Sequence, residues 1–371
     1  MFRRRRSLLI TAAVPVALLA TWAFAGGGQT PADPATTDDD ATRASVVTSF
    51  YPLQFVAERV AGGLADVDNL TPPAADPHHL ELSLARVRTV GTADVVVTLG
   101  GFMHAVDAAV ETQEPARVVD AAELVDLLPA TVTGGHTHDD GECSHHSHDH
   151  SHDHSHDDDH AHDHSHDDDH SHDDDSHDHA HEHDDVDGHD HSAGMGGYDP
   201  HFWLDPLRLA RLAQPVADAL ADADPANADA FAANAAALER ELADLDAEIA
   251  DALAPFEGAT LVTNHTAFGY LAARHGLAQV GITGLDHEIE PSPARLREIG
   301  DVVRENGVET IFYETLVSPR VVRTLADSLG VRATVLDTLE GLTPQNAAAG
   351  EDFISLMRTN LTTLTEGLVV P

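Results

Sequence analysis

An α/β protein with a parallel sheet in each half of the chain is predicted from three observations on the 371-residue sequence. Short apolar runs bounded by turn residues alternate with longer stretches of helical period, the pattern of strands joined by crossover helices. This rhythm runs to about residue 119 and restarts after residue 257. Between the two lies an Ala-rich region that keeps a helical period and carries no strand signal. An apolar content of 42% over this length can supply a core to more than one compact lobe.

In the first half, strands are expected at 45–50, 67–70, 95–99 and 117–119, with helices at 53–61, 83–90 and about 103–110. In the second half, strands are expected at 260–263, 279–282, 310–313 and 333–336, with helices at 267–275, 293–306 and 319–329. No element is assigned beyond Leu336. The middle region reads as helices over 206–220 and 225–253. In the second of these, Leu238, Leu242, Leu245, Ile249 and Leu253 recur at spacings of three or four, and Asp224-Pro225 supplies a cap followed by proline at the first helical position. Such a helix would be about 43 Å long. It fits a stiff strut between lobes and equally an ordinary long surface helix, because periodicity does not separate the two.

Charge is unevenly placed. The formal net charge is -44, from 64 acidic against 20 basic residues, and every basic residue is Arg. A polyanion of this kind is not a nucleic-acid partner. The tract from His136 to His191 holds 21 His and 21 Asp or Glu with no Arg, so it contributes almost half of the net charge. Within it His-Asp-His-Ser-His-Asp-Asp-Asp-His begins at His152 and again at His162. With almost no apolar residues such a segment buries no core and is expected to be a disordered loop, and a loop of that length inside a lobe implies a function. The single Cys, Cys143, lies inside the tract, which excludes an intrachain disulfide and a Cys-rich zinc module.

Residues 1–25 combine four Arg near the start, an apolar run from Leu8 and the small-residue site Ala23-Phe24-Ala25, the pattern of a secretory signal peptide. The run is also just long enough to be a membrane anchor. No Cys follows it, so no lipid anchor is expected. The expected organisation is then a signal peptide at 1–25, a disordered linker at 26–44, an N-terminal α/β lobe at 45–205 with the His/Asp-rich loop at 133–197, a helical connection at 206–255, and a C-terminal α/β lobe at 256–371.

Seven His lie outside the tract: His78, His79, His104, His201, His265, His275 and His287. His78 follows the strand at 67–70, His265 ends the strand at 260–263, Asp337 ends that at 333–336, and His201 sits in Tyr-Asp-Pro-His-Phe-Trp-Leu-Asp-Pro. Ends of parallel strands are where open α/β folds gather ligands. Two lobes facing one another would let three imidazoles and a carboxylate meet, a set that suits tetrahedral Zn(II). Hydrogen-bonded structural His residues are the plainer reading of each position taken alone. His275 and His287 read as structural or surface residues, and Glu288 and Glu290 as the approach to a helix start.

The segments TPPAADPHHLELS, YDPHFWLDP, TNHTAFGYLAARHGL, EIEPSPARLREI and VLDTLEGL, in that order, resemble the zinc-binding solute receptors of ABC importers, the ZnuA type of the cluster A-I family. The likeness runs from about Ser45 to Pro371, and the His-rich insertion falls where zinc-type members carry one. The resemblance implies metal ligands at His78, His201 and His265, with Asp337 as the fourth or water in its place. It also implies two lobes joined by a long rigid helix, an extracytoplasmic or periplasmic monomer that binds zinc without catalysis, and an ABC permease as partner. Manganese-type relatives carry a carboxylate where this chain has His265, and imidazole suits Zn(II) better. His104 stands where the family usually has an acid, and His79 adjoins His78, so both are additional candidates. The tract is expected to gather zinc weakly beside the tight site. Affinity is expected to weaken as pH falls through about 6.5, because each imidazole must give up its proton. A manganese receptor, a free-standing zinc store or chaperone, and a zinc hydrolase are the alternatives; no His-Glu-x-x-His helix or nucleophile elbow supports the last.

Overall fold

Four all-parallel strands form the first sheet: β1 (Ala44–Thr48), β2 (Ala65–Asn69), β3 (Val95–Thr98) and β4 (Val118–Asp120), in the order β2-β1-β3-β4. Val46 pairs with Val67 on one side and with Val95 on the other. The second sheet repeats this arrangement as β6-β5-β7-β8, from β5 (Thr260–Thr263), β6 (Ala278–Gly281), β7 (Thr310–Tyr313) and β8 (Arg332–Val335). The structure, a computed structural model, describes residues 43–130, 197–285 and 290–371. The expected signal peptide, nearly all of the linker, the His/Asp tract with Cys143, and His287 with Glu288 lie outside the described residues. Arg43–Pro371 groups as one compact unit.

Helices cross over between the strands. α1 (Tyr51–Ala61), α2 (Leu84–Thr92), α3 (His104–Gln113) and the short α4 (Ala121–Leu124) serve the first sheet. α8 (Gly269–His275), α9 (Pro293–Glu305) and α10 (Arg320–Leu329) serve the second. Ser83 and Ser292 cap α2 and α9 through their side chains. The chain ends in α11 (Pro344–Ala349) and α12 (Phe353–Gly367), neither of which the sequence pattern assigned. Among the described residues no helix is long and apolar enough to cross a membrane.

The middle region differs from expectation at both helices. The stretch over 206–220 is broken into α5 (Pro206–Ala210) and α6 (Ala213–Ala223). Pro215 explains the break: it has no N–H to bond the fourth residue back, so it is tolerated only in the first turn of a new helix. The long helix α7 spans Ala228–Leu253, preceded by a 3-10 turn at Pro225–Asn227 that Asp224 caps. Its buried stripe, Phe231, Ala235, Leu238, Leu242, Leu245, Ile249 and Leu253, includes all five residues that set its period in the sequence. α7 packs on α1 and α6 and also on α12. Arg59 of α1 pairs with Glu241, and Arg358 of α12 with Glu248, so α7 is braced from both sides.

Alternation along β5 and β7 divides the apolar residues of the second sheet. Leu261 and Phe312 join a core that runs through the middle helices into the first sheet. Val262 and Ile311 join a separate cluster with Ile299, Val303, Val322 and Leu325 under α9 and α10. The faces that look toward the middle helices therefore share one continuous core, which fixes the carboxyl ends of the two sheets relative to each other.

Candidate metal centre

Four chain segments leaving strand ends or the middle region converge on one point. The loop after β2 carries His78; Thr71 Oγ1 donates to Ser49 O (2.7 Å), and the His78 N–H donates to Asp76 Oδ1 (2.8 Å). His201 immediately precedes the fully buried 3-10 turn Phe202–Leu204. His265 follows β5, where Asn264 N–H donates to Phe312 O (3.0 Å) and keeps the segment against β7. Glu340 follows β8. There the Asn360 amide holds both sides of Asp337, accepting from its N–H (2.9 Å) and donating to its C=O (2.7 Å). Trp203 Nε1 donates to Thr338 O (2.8 Å), joining the His201 segment to the Glu340 segment.

One donor atom from each of His78, His201, His265 and Glu340 lies within 4.8 Å of the others. His201 Nε2 is 3.2 Å from His265 Nε2, and Glu340 Oε1 is 3.3 Å from Nε2 of both His78 and His201. A tetrahedron whose donors stand about 2.0 Å from a central ion has edges of about 3.3 Å. His201, His265 and Glu340 are buried, whereas the His78 side chain keeps 13% exposure, so solvent reaches the cluster on that side. The Phe102 ring packs edge-on against the His78 ring at 4.8 Å.

Carboxylates behind two of the rings fix their protons. His201 Nδ1 bonds Asp199 Oδ1 (2.7 Å), and His265 Nδ1 bonds Glu314, itself buried. A carboxylate accepts, so both Nδ1 atoms carry a proton and the two Nε2 atoms face each other. In neutral rings the two lone pairs would oppose each other at 3.2 Å, a repulsion that a shared proton or a metal ion between them relieves. Burial pulls the His201 imidazole down, but Asp199 and Glu340 outweigh it and push it up to about 9, so without an ion a proton is favoured on the ring and competes with metal for Nε2. Burial raises the Glu340 carboxyl, yet the His78 and His201 rings outweigh that and hold it well below the usual carboxylate range.

The sequence-expected residues divide as follows. His78, His201 and His265 are brought together. Asp337 stands outside the group, and Glu340, three residues on, takes the fourth place. The reason is local: Asp337 Oδ1 accepts the Leu339 N–H (2.9 Å), which folds its carboxyl back onto its own turn, and Leu339 adopts φ 59°. That left-handed residue re-aims the chain so that Glu340 points inward. His79 and His104 are exposed and outside the group, and His275 sits half-buried at the end of α8, also outside it. The auxiliary sites between His136 and His191 lie outside the described residues. Sequence reasoning missed Glu340, Asp199 and Glu314. The signal for Glu340 was an acid flanked by apolar residues, Leu339-Glu340-Gly341-Leu342.

Two parallel-sheet lobes that each supply donors to one cluster of three imidazoles and a carboxylate define a two-lobed solute-binding protein. A family model described as ZnuA, "Zinc-uptake complex component A periplasmic", matches residues 46–367, and the chain belongs to that family. It is 31% identical over 323 residues to the zinc-binding lipoprotein AdcA of Streptococcus pneumoniae serotype 4, covering 86% of this chain and 55% of the relative. The chain thus spans about half the length of the first curated relatives it matches. Against the high-affinity zinc uptake system protein ZnuA of Bacillus subtilis the identity is 29% over 336 residues, 90% of each chain. Among solved structures, the Zn(II)-bound ZnuA-like domain of S. pneumoniae AdcA superposes with a TM-score of 0.62 at 29% identity, covering 88% of this chain and 98% of that one. These relatives carry the names of binding and uptake proteins, not of enzymes.

Proposed function

We propose that this chain is an extracytoplasmic zinc receptor that captures Zn(II) at His78, His201, His265 and Glu340 and delivers it to the permease of an ABC importer. One observation carries the reading: two buried Nε2 atoms, oriented by Asp199 and Glu314 on the opposite ring nitrogens, face each other at 3.2 Å beside Glu340, at the edge length of a tetrahedral zinc shell. Zinc is cargo in this reading. Four protein donors fill the tetrahedral shell and leave no open position for the water a hydrolase activates. Three imidazoles with one carboxylate favour Zn(II) over Mn(II), whose preferred shell is richer in oxygen. The His and Asp density between His136 and His191 supports a second, weaker role for the tract in gathering the ion.

Metal analysis and calorimetry of the wild type, His265→Ala and a deletion of residues 136–191 test the proposal. The wild type is expected to hold one tightly bound zinc and to prefer it to manganese. His265→Ala loses the tight site, and the deletion retains it while shedding weak binding. A wild type that prefers manganese, or a His265→Ala variant that binds zinc as tightly, would overturn the reading. Delivery is tested by zinc-dependent ATPase activity of the reconstituted importer with and without this protein; equal rates would count against it.

A further inference from the structure

Tyr270 lies in the first turn of α8, on the same segment as His265, and its hydroxyl reaches the segment that carries His201. The side chain is 1% exposed, with the Arg208 guanidinium 5.1 Å from the ring centroid. The hydroxyl accepts the Leu128 N–H (2.8 Å) and donates to the Asp199 C=O (2.7 Å). The Asp199 N–H in turn donates to Leu128 O (2.9 Å), so three bonds close a ring around the Asp199 backbone. Burial, and then the charge of Asp199, push the phenol well above its ordinary value, so it stays a donor.

The Asp199 carboxylate depends on this ring for its aim. Its Oδ1 accepts both the N–H and the Nδ1–H of His201, while Oδ2 makes no hydrogen bond among the described residues. Among the described residues no other side chain bonds it, and its aim follows the backbone that Tyr270 holds. We propose that Tyr270 is a positioning residue that sets His201 against His265 through Asp199, an inference that rests on the zinc-capture reading above. A ring placed only to fill the core would need no hydroxyl. Here one hydroxyl bond goes to the Asp199 backbone and the other to Leu128, whose own C=O holds the Asp199 N–H, while the ring belongs to the segment that carries the other imidazole.

The test uses Tyr270→Phe in the full chain, with Zn(II) calorimetry and with Co(II) as a probe whose visible absorption intensity reports four-coordinate geometry. Tyr51→Phe is the matched control, since that buried hydroxyl bonds the Phe353 backbone and neither Asp199 nor Leu128. Tyr270→Phe is expected to weaken zinc binding about 10-fold and to dim the Co(II) bands. Tyr51→Phe is expected to lose thermal stability with both metal readouts unchanged. Zinc affinity and Co(II) bands in Tyr270→Phe equal to the wild type would overturn the assignment. Hydrogen exchange on the wild type is independent of any folding defect: zinc loading is expected to slow the Leu128 and Asp199 amides, and unchanged exchange there would overturn it as well. A wild type that takes up neither ion would sink the capture reading itself, and this assignment with it.

Discussion

The two sheets have the same strand order, so each has a switch point between its central strands, yet the two points are filled with opposite chemistry. In the first sheet, the residues leaving β1 and β3 are Phe50 and Phe102, edge to face at 5.2 Å, with Trp203 4.9 Å from Phe50. In the second, the residues leaving β5 and β7 are His265 and Glu314, joined through Nδ1. Topology makes a crevice at both places. What the crevice does follows from residue type: the first lobe offers an apolar wall against which His78 packs, and the second an imidazole donor with its orienting carboxylate behind it.

The largest effect is expected at the second crevice. His265→Ala removes one of four donors, and if zinc sites of this kind bind with about 10–16 kcal/mol, one donor amounts to roughly 3 kcal/mol, or about 100-fold in affinity. It also strands Glu314, which is 2% exposed, and a buried carboxylate left without its partner costs about 3 kcal/mol of fold stability. Calorimetry together with melting in chelator reads both losses. A His265→Ala protein that melts like the wild type without metal would break the claim that this pair also supports the fold.

A smaller loss of affinity is expected from Glu340→Gln, which keeps shape and one acceptor oxygen but removes the charge that neutralises the ion. The expected weakening lies between those of His265→Ala and the first crevice. Phe102→Ala sharpens the contrast from the other side. Truncating this ring, packed on Phe50, Trp203 and His78, is expected to cost about 3 kcal/mol of stability. Zinc affinity should fall by no more than about 10-fold, because no donor is lost and only the wall behind His78 changes. If Phe102→Ala were to abolish binding while the fold survived, the first crevice would be more than a wall.

Much of this was legible before the structure, for reasons that differ by element. β5 and β7 lie where the sequence puts them because a strand buried on both faces reads as an unbroken apolar run bounded by turns. The period of α7 was visible because its apolar residues face one shared core. α12 escaped because Asn360 and several Thr interrupt its apolar period and because Ser355 replaces the usual acid of a capping box. Asn360 interrupts the period for a structural purpose, since its amide holds Asp337. Three His of the cluster were legible from strand-end positions and flanking segments. Glu340 was not, because its aim depends on a left-handed Leu339, a conformation that Leu rarely signals. Asp199 and Glu314 were hidden because an orienting carboxylate is recognised only by what it touches.

The smallest expected effect concerns Asp337. Burial, reinforced by the charges of Glu340 and Glu314, raises its carboxyl above the ordinary value, while the Leu339 N–H and Thr315 work in the opposite direction. The native state therefore holds this proton more tightly than the unfolded chain. Stability from this group is fully present below about pH 3.8 and is lost as pH rises through the raised value. At neutral pH the ionised side chain is a mild liability, and Asn preserves the acceptor that the Leu339 N–H uses. Asp337→Asn is accordingly expected to leave zinc affinity within about threefold, as for a residue off the ion. Its metal-free stability should match the wild type near pH 4 and equal or exceed it at pH 7. Denaturant titrations at the two pH values, with calorimetry at the higher, read the difference. A large loss of zinc affinity in Asp337→Asn, with Glu340→Gln nearly silent, would return the fourth donor to the strand end and undo the role assigned to the turn at Leu339.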